Sequence, residues 1–387
     1  MNNKYDFVII GAGLSGCVLA NKLASKGKKV LILEKRNHVG GNVYDEVDKE
    51  TNVIVQKYGP HIFHTNNEIV WSYIKAFCEW VPFEVKCGAS INGFCSPSPF
   101  NFKTIDYFFS KDSQAIKDAL ISEYPNRETV TIVELLESKN RLIQDYASFL
   151  FKEDYSLYTA KQWGISPEQV DVNVLKRVPV RLDYKEKYFT DKYQFMPKKG
   201  FTALIRALLA NKNIVVKTNC EALNFLKLYN DSFVLNIDGC QLASLIWTGP
   251  IDRLFDYKYG LLPYRSLDFE YKRINIPKYQ DYAVVAYPKA KGYTRITDYN
   301  QLPSQMCLTT IIAVEYPKQY SLESKTDPYY PINSEANLSL YRKYFDDFKK
   351  IKKAHLLGRL ALYKYYNMDQ IIFEALQLAD NLLKNTD

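Results

Sequence analysis

The stretch Phe7-Val8-Ile9-Ile10, followed at once by Gly11-Ala12-Gly13-Leu14-Ser15-Gly16, decides the fold of this 387-residue chain. Four consecutive apolar residues are typical of a strand buried on both faces of a parallel sheet. Residues 17–25 continue with helical spacing, and Lys29 to Leu33 form a second apolar strand that ends at Glu34. The strand, glycine turn, helix and second strand predict a dinucleotide-binding unit of the Rossmann type.

The three glycines of this turn have separate physical tasks. Gly11 permits the tight turn, Gly13 lets the backbone approach a pyrophosphate, and Gly16 lets the helix pack closely on the strand. The N-terminus of the helix adds aligned N–H donors for phosphate oxygens. Glu34 lies 18 residues past Gly16, near the usual spacing for an acid that accepts a hydrogen bond from a ribose hydroxyl.

A second glycine cluster, Val39-Gly40-Gly41-Asn42, follows shortly after Glu34-Lys35-Arg36. A nicotinamide cofactor has no evident need for another close backbone approach there, whereas the longer FAD has one. The extension resembles the FAD-binding start of the amine-oxidase and glutathione-reductase superfamily. It therefore favours FAD over NAD as the cofactor.

The composition of the chain limits the classes of ligand that it is expected to bind. A net charge of +8 favours anionic ligands, but the lysine pairs are scattered, so a phosphorylated small molecule suffices and nucleic acid is not expected. Seven single cysteines without a CxxC pair indicate a reducing cytoplasm. Neither a signal peptide nor a membrane span is expected. His61 and His64 have no carboxylate or cysteine nearby in sequence, so no metal site is predicted.

The order of predicted elements gives an α/β fold with inserted domains. We expect an FAD-binding, Rossmann-like domain with a parallel sheet, assembled from residues 1–80, 200–252 and 340–387. A helical domain is predicted over 103–172. An antiparallel sheet domain that contacts the substrate is predicted over 81–102, 173–199 and 253–339, with Ser96-Pro97-Ser98-Pro99 as a loop or edge segment.

Several further motifs follow one another over nearly the whole chain and resemble bacterial UDP-galactopyranose mutases. They are Tyr58-Gly59-Pro60-His61-Ile62-Phe63-His64-Thr65, Tyr158-Thr159-Ala160-Lys161-Gln162-Trp163-Gly164, Lys176-Arg177-Val178-Pro179-Val180-Arg181, Tyr293-Thr294-Arg295, Glu315-Tyr316-Pro317, Tyr329-Tyr330-Pro331, Gly358-Arg359-Leu360-Ala361 and Tyr363-Lys364-Tyr365-Tyr366.

The resemblance implies an isomerase without net redox chemistry. It would interconvert UDP-galactopyranose and UDP-galactofuranose for cell-surface polysaccharide synthesis, with FAD that must be reduced by an external donor such as NAD(P)H. In the family mechanism the flavin N5 forms an adduct with the anomeric carbon of the sugar as UDP leaves. The resemblance also implies a cytoplasmic homodimer.

The resemblance assigns roles by position. Arg177 and Arg295 match the catalytic arginines that clamp the diphosphate, with bidentate geometry that lysine would not supply. Tyr158 matches the residue that stacks on uracil. The substrate-binding set is Tyr155, Tyr158, Thr159, Trp163, Arg177, Tyr188, Arg295, Tyr330, Tyr365 and Asn367. The cofactor-binding set is Gly11, Gly13, Leu14, Ser15, Gly16, Glu34, Lys35, Arg36, Gly41, Asn42, His61, His64, Gly249, Arg359 and Met368. A helix beginning near Met368 would place its positive N-terminus beside the flavin.

Some positions depart from the family pattern. Pro97 stands for an asparagine, Leu157 and Leu357 for glycines, Leu362 for a glutamate and Asn367 for an aspartate. Lost polar partners alter specificity strongly, so the substrate can be another nucleotide sugar, such as a UDP- or dTDP-linked deoxy or N-acetyl sugar. A flavin oxidoreductase of the amine-oxidase type is the remaining alternative.

Overall fold

The structure of the protein, a computed structural model, describes residues 4–164, 166, 178–237, 241–303, 305–323 and 326–384. Its central sheet is parallel, as predicted. The strands of this sheet, in spatial order, are β12 (Ile214–Lys217), β2 (Val30–Leu33), β1 (Lys4–Ile10), β15 (Gln241–Trp247) and β21 (Ala354–Leu356).

Eleven α-helices occur in the described part of the chain. They are α1 (Leu14–Ser25), α2 (Glu68–Ile74), α3 (Phe102–Phe108), α4 (Ser113–Glu123), α5 (Ile132–Glu137), α6 (Arg141–Leu150), α7 (Ser156–Trp163), α8 (Phe201–Leu208), α9 (Ile251–Leu254), α10 (Glu335–Phe348) and α11 (Met368–Lys384). Helices are found where they were predicted, at residues 17–25, within 103–172 and from Met368 onward, whereas Glu68–Ile74, Ile251–Leu254 and Glu335–Phe348 are helices that were not predicted. A π-helical turn, Phe151–Tyr155, joins α6 to α7. No helix within the described ranges has both the length and the apolar character that crossing a membrane requires.

The parallel sheet is covered on both faces, which explains why β2 is apolar throughout and why β1 is apolar from Phe7 to Ile10. On one face α1, α8 and α11 share a core that includes Leu19, Ile205 and Ala375. The hairpin of β13 (Leu226–Tyr229) and β14 (Ser232–Leu235) contributes to the core on the other face. Because both faces are buried, the carboxyl ends of the strands are left to form the ligand cleft.

A seven-stranded sheet forms the second layer of the molecule. Its strands, in spatial order, are β20 (Tyr330–Pro331), β16 (Tyr264–Ile274), β19 (Thr310–Gln319), β18 (Arg295–Asp298), β17 (Val284–Ala286), β7 (Cys87–Ile91) and β8 (Phe94–Ser98). The predicted antiparallel sheet is confirmed, with one parallel pairing, that of β17 with β7. These strands are distant in sequence and are not joined by a hairpin, so no local turn imposes an antiparallel direction. The proline-rich β8 lies at the edge, as predicted.

Besides the β13–β14 hairpin, the described residues form three further small sheets. They are β5 (Phe63–Thr65) with β11 (Tyr193–Pro197) and β6 (Trp80–Pro82), β3 (Asp45–Val47) with β4 (Ile54–Gln56), and β9 (Thr129–Val130) with β10 (Val180–Arg181). The helices α3 to α7 have their own core around Ile116, Ile143 and Leu150. A capping box begins α5, where the Thr131 hydroxyl accepts from the Glu134 backbone N–H and the Glu134 carboxylate accepts from the backbone N–H of Thr131.

Candidate active site

A long cleft follows the carboxyl ends of β1, β2 and β15. We call it the cofactor cleft, and its lining includes Gly11, Gly13, Leu14, Ser15, Glu34, Lys35, Arg36, Gly41, Asn42, His61, Gly249, Arg359, Asn367 and Met368. Most of the residues that the sequence predicts for cofactor binding are therefore brought together in one groove. Gly16 and His64 are the two that do not line it.

The glycines of the first turn have the contacts that a dinucleotide site requires. Gly11 has a φ of +106°, and a Cβ there would lie 2.1 Å from the Thr248 hydroxyl oxygen. A Cβ on Gly16 would lie 2.4 Å from the Gly11 carbonyl oxygen, so this glycine allows α1 to pack on the turn. At Gly13, by contrast, a Cβ would meet no atom within 4 Å. The Gly13 backbone borders open space at the start of α1, which fits a phosphate bound at a helix N-terminus.

The second glycine cluster packs directly on the first. The Gly40 N–H donates to the Ala12 carbonyl over 2.8 Å, and a Cβ on Gly41 would lie 3.0 Å from the Gly13 Cα. Glu34 is buried and holds the same turn, because its carboxylate accepts from the Ala12 N–H at 2.7 Å and from the Arg36 N–H at 2.9 Å. The acid is thus fixed where β2 ends, with its remaining lone pairs beside the cleft.

Asp327 is a cleft residue that sequence reasoning missed. Its carboxylate accepts from Arg36 at 2.6 Å and from Lys35 at 3.1 Å. Burial acts to raise the pKa of Asp327, but the charges of Arg36 and Lys35 outweigh burial and lower it. No local motif marks Asp327, since its partners lie about 290 positions earlier in the chain.

The two histidines of the Tyr58–Thr65 motif occupy different environments. His61 lines the cleft, and its Nδ1 lies 2.9 Å from the Gly59 carbonyl oxygen. Burial lowers the pKa of His61 to about 4, so its imidazole is neutral at physiological pH and Nδ1–H is the donor. His64 instead pairs with Asp191 at 2.9 Å and stacks on Phe189 with ring centroids 3.6 Å apart.

Beside the cleft lies a second group of residues, which we call the tyrosine–arginine cluster: Tyr158, Tyr188, Arg295, Glu315 and Tyr330. Arg295 on β18 is directly opposite Glu315 on β19, and its Nε and Nη2 each lie 2.7 Å from the same carboxylate oxygen. Glu315 is only 2% exposed, so its charge depends on this arginine. Burial acts against the Arg295 charge, but the Glu315 carboxylate more than offsets it and raises the pKa of Arg295.

The tyrosines of the cluster surround this ion pair. Burial raises the pKa of Tyr158 and of Tyr330, while the nearby Arg295 charge acts to lower both values. Both phenols are therefore protonated at neutral pH and can donate hydrogen bonds. Tyr188 lies within electrostatic range of Tyr158. The rings of Tyr330 and Tyr365 stack with centroids 5.9 Å apart.

Arg359 joins the cofactor cleft to the tyrosine–arginine cluster. It lines the cleft and donates to the backbone carbonyls of Tyr366 at 2.7 Å and Tyr329 at 3.3 Å. Its guanidinium also lies 5.3 Å from the ring centre of Tyr330 and 4.9 Å from that of Tyr365. A ligand in the cleft and a ligand in the cluster would thus share one cation between them.

Other predicted substrate residues have different positions. Tyr155 is 4% exposed in the helical core, and its hydroxyl donates to the Val178 carbonyl at 2.9 Å. Thr159 is half-buried on α7, and Asn367 lines the cofactor cleft rather than the cluster. Arg177 and the Trp163 side chain lie outside the described residues.

The sequence contains one signal for Glu315, a cluster residue that was not among the predicted site residues. Glu315 lies inside the quoted Glu315-Tyr316-Pro317 motif, so its pairing with Arg295 was open to inference from the motif order. No group of metal-ligating side chains occurs in the part of the chain that the structure describes.

We compared the chain with family models, with curated proteins and with solved structures. A family model for UDP-galactopyranose mutase matches residues 153–365, and one for an NAD(P)-binding Rossmann-like domain matches residues 9–77. A UDP-galactopyranose mutase of Mycoplasma genitalium is 38% identical over 98% of this chain and 95% of its own length. A dTDP-fucopyranose mutase of Escherichia coli is 32% identical over 98% of each chain. A crystal structure of reduced UDP-galactopyranose mutase shares the fold, with a TM-score of 0.69, 16% identity and coverage of 98% and 96%.

The fold and the cleft define the class: an α/β protein with a dinucleotide-type cleft, beside which lies the tyrosine–arginine cluster. The matches above extend over nearly the whole length of the chain. The chain belongs to the UDP-galactopyranose mutase family. It is therefore an isomerase with a flavin cofactor, and its substrates are nucleotide sugars.

Proposed function

We propose that the protein interconverts the pyranose and furanose forms of UDP-galactose, using FAD in its reduced state. The observation that supports this most strongly is the tyrosine–arginine cluster placed against the cofactor cleft, with Arg359 between them. A diphosphate needs a fixed cation and hydroxyl donors, and a pyrimidine base needs an aromatic face. All three are present within this one cluster.

Arg295 binds the diphosphate of the substrate in this account. Its carboxylate partner Glu315 holds the guanidinium in one orientation before substrate arrives, which reduces the ordering cost of binding. The neutral phenol of Tyr330 donates to a phosphate oxygen, and Tyr158 presents its ring to the base. Tyr188 and Tyr365 add further hydroxyl groups at the same phosphates. Arg177 is included in the proposal only because the family resemblance pairs it with Arg295.

The residues of the cofactor cleft fit FAD. The open space at Gly13 admits a pyrophosphate, Glu34 accepts from a ribose hydroxyl, and the N-terminus of α11 at Met368 favours an anionic group. When bound and reduced, the flavin supplies a nucleophilic nitrogen for the anomeric carbon of the sugar. The chain's own contribution is to hold the sugar diphosphate beside it, to stabilise the charge of the departing UDP at Arg295, and to exclude water.

UDP-galactose is the proposed substrate, and a dTDP-linked deoxy sugar is the alternative. The first agrees with the name of the 38% identical relative and the second with that of the 32% identical relative. Among the family departures, Leu357 is buried in the core beneath α1 and α11, and Leu362 packs against the same core. Pro97 is buried within β8, whereas Asn367 lines the cleft. Leu357 and Leu362 therefore lie in a core rather than beside the ligand, which favours galactose.

Three further proposals rest on the family resemblance. They are an external reductant such as NAD(P)H, a homodimer, and a cytoplasmic location. The division into an FAD domain, a helical domain and a sheet domain also stays a prediction.

The test is direct observation of the product. Purified protein is reduced with dithionite, incubated with a panel of UDP- and dTDP-sugars in both ring forms, and followed by proton NMR for furanose and pyranose anomeric signals. We expect UDP-galactose to be interconverted by the reduced protein, while the oxidised protein leaves it unchanged. Conversion of a dTDP-sugar alone would select the alternative, and turnover of a substrate by the oxidised protein alone would overturn the isomerase proposal.

A further inference from the structure

The helix that carries Tyr158 is tied to the segment that leads into Arg295 by a single lysine. The Lys161 ammonium on α7 donates to the backbone carbonyls of Tyr287, Ala290 and Tyr293 at 2.7, 2.6 and 2.9 Å. All three acceptors lie in the connection between β17 and β18, residues 287–294. The three protons of the ammonium are thus each donated to a carbonyl of one short segment.

This arrangement costs folding free energy, because a charged ammonium is partly removed from water. Among the described residues no carboxylate acts on the pKa of Lys161, and burial lowers this pKa. Neutral carbonyls compensate a half-buried cation less completely than a carboxylate does. An apolar residue could have filled the same space without that cost. The ammonium instead draws three carbonyls toward one point and so fixes the path of residues 287–294.

The path of residues 287–294 sets the position of Arg295. The Tyr287 N–H donates to the Thr294 carbonyl at 2.8 Å, and the Thr294 N–H donates to the Glu315 carbonyl at 2.9 Å. Arg295 follows immediately and pairs with the Glu315 side chain. Tyr158 lies three positions before Lys161 on α7, and residues at this spacing share a helix face. Lys161 therefore links the expected base-stacking ring to the expected diphosphate clamp.

A second, weaker tie holds the same 287–294 segment and offers a matched control. Lys289, in the middle of the 287–294 segment, forms an ion pair with Glu153 and donates to Asn92 at 2.8 Å. Its side chain is 49% exposed, so the pair is screened by solvent and contributes little. It differs from Lys161 in that its two contacts are made by an exposed side chain of the segment itself.

We propose that Lys161 is a positioning residue that sets the distance between Tyr158 and Arg295 by clamping residues 287–294 to α7. The proposal rests on the proposed function in one respect: the ligand that binds between Tyr158 and Arg295 is taken to be a nucleoside diphosphate. Lys161 itself uses all its donors on the protein and does not contact the ligand.

The experiment compares Lys161→Met, Lys161→Arg and Lys289→Met with the unchanged flavoprotein. Affinity for UDP is measured by titration, KM and kcat by turnover of UDP-galactofuranose, and the amides of 287–294 by hydrogen exchange. In Lys161→Met we expect at least tenfold weaker UDP binding, a matching rise in KM with kcat changed less than threefold, and faster exchange at Tyr287 and Ala290. Lys161→Arg restores part of the affinity because its guanidinium still donates to carbonyls. Lys289→Met behaves as the unchanged protein does.

The outcomes separate positioning from general stability. A merely structural lysine would lower the active fraction, and hence the apparent kcat, at unchanged KM. Unchanged exchange over 287–294 in Lys161→Met, or an equal loss in Lys289→Met, would overturn the proposal. If the unchanged protein binds neither UDP nor dTDP, the proposed function fails, and the exchange comparison still decides whether Lys161 clamps the segment.

Discussion

In the cofactor cleft the walls are shaped by contacts between backbone atoms, whereas in the tyrosine–arginine cluster they are shaped by charged and aromatic side chains. Backbone contacts of the cleft include the hydrogen bonds from the Gly40 N–H to the Ala12 carbonyl and from the Gly11 N–H to the Leu33 carbonyl. The side-chain contact of the cluster is the ion pair between Arg295 and Glu315. Backbone walls need glycine where backbone atoms approach closely, as at Gly11 and Gly16, while side-chain walls need paired charge in a low-dielectric site. The two halves of the site should therefore fail in different ways.

The largest effect is expected at the ion pair of the cluster. Arg295→Met leaves the buried Glu315 carboxylate uncompensated, which costs about 3–5 kcal/mol of folding free energy when a buried pair is broken. UDP affinity should fall as well, while the flavin that remains bound keeps its spectrum. Urea unfolding and UDP titration measure the two losses. The double variant Arg295→Met/Glu315→Gln should regain much of the stability but none of the UDP affinity. Equal instability of the double variant would contradict the side-chain account.

A pH-dependent effect of intermediate size is expected at His61. Because its pKa is about 4 in the folded protein and near 6.5 in the unfolded chain, the unfolded chain binds more protons between these values. The stability contributed by the neutral imidazole is thus complete above pH 6.5 and is lost as the pH falls toward 4. Between pH 7 and pH 5 the protein should lose about 1–2 kcal/mol more than His61→Gln does. Parallel losses in the two proteins would refute a neutral His61 in the folded protein.

A smaller, purely cofactor-directed effect is expected at Gly13. Gly13 has an ordinary φ of −72° and open space around its Cβ direction, so Gly13→Ala should fold with an unchanged melting temperature. FAD affinity should fall about tenfold, or about 1.4 kcal/mol, since the added methyl group occupies the space proposed for phosphate. Gly11→Ala is the control, because its Cβ would collide with Thr248. This variant should therefore have a lower melting temperature, unlike Gly13→Ala. Normal FAD affinity in Gly13→Ala would place the pyrophosphate elsewhere.

The smallest effect is expected from a single hydroxyl of the cluster. Tyr330→Phe keeps the ring that stacks on Tyr365 and lies over Arg359 but removes one donor. UDP affinity should fall about five- to tenfold, which corresponds to the roughly 1 kcal/mol of an ordinary hydrogen bond. Isothermal titration gives the value, with the exposed Tyr229→Phe as the control. An unchanged affinity would remove Tyr330 from the diphosphate contacts.

The sequence predicted the cofactor cleft better than the cluster for a physical reason. Gly11, Gly13 and Gly16 lie within six residues, so local backbone chemistry is enough to infer their roles. The parallel sheet and the last helix, Met368–Lys384, follow from similar local patterns. Arg295 and Glu315 gain meaning only through a strand pairing, and Lys161 only through three carbonyls more than 120 positions away.

The parallel pairing of β7 with β17 shows the same limit. Alternation of apolar residues identifies each strand, but strand direction depends on long-range connections that no local pattern encodes. Asp327 gives a second example, since its role depends on Arg36 and Lys35 folding next to it. The structure also shows that two departures from the family pattern matter less for substrate specificity than the sequence suggested. Leu357 and Leu362 contribute to a core and not to the wall of the cleft.

The most direct test of this account is a crystal structure of the reduced protein with UDP bound. We expect the diphosphate within hydrogen-bonding distance of Arg295 and Tyr330, the uracil ring on Tyr158, and the flavin pyrophosphate at the Gly13 backbone. UDP bound away from the tyrosine–arginine cluster, or a cofactor cleft that holds no flavin in the active protein, would contradict it.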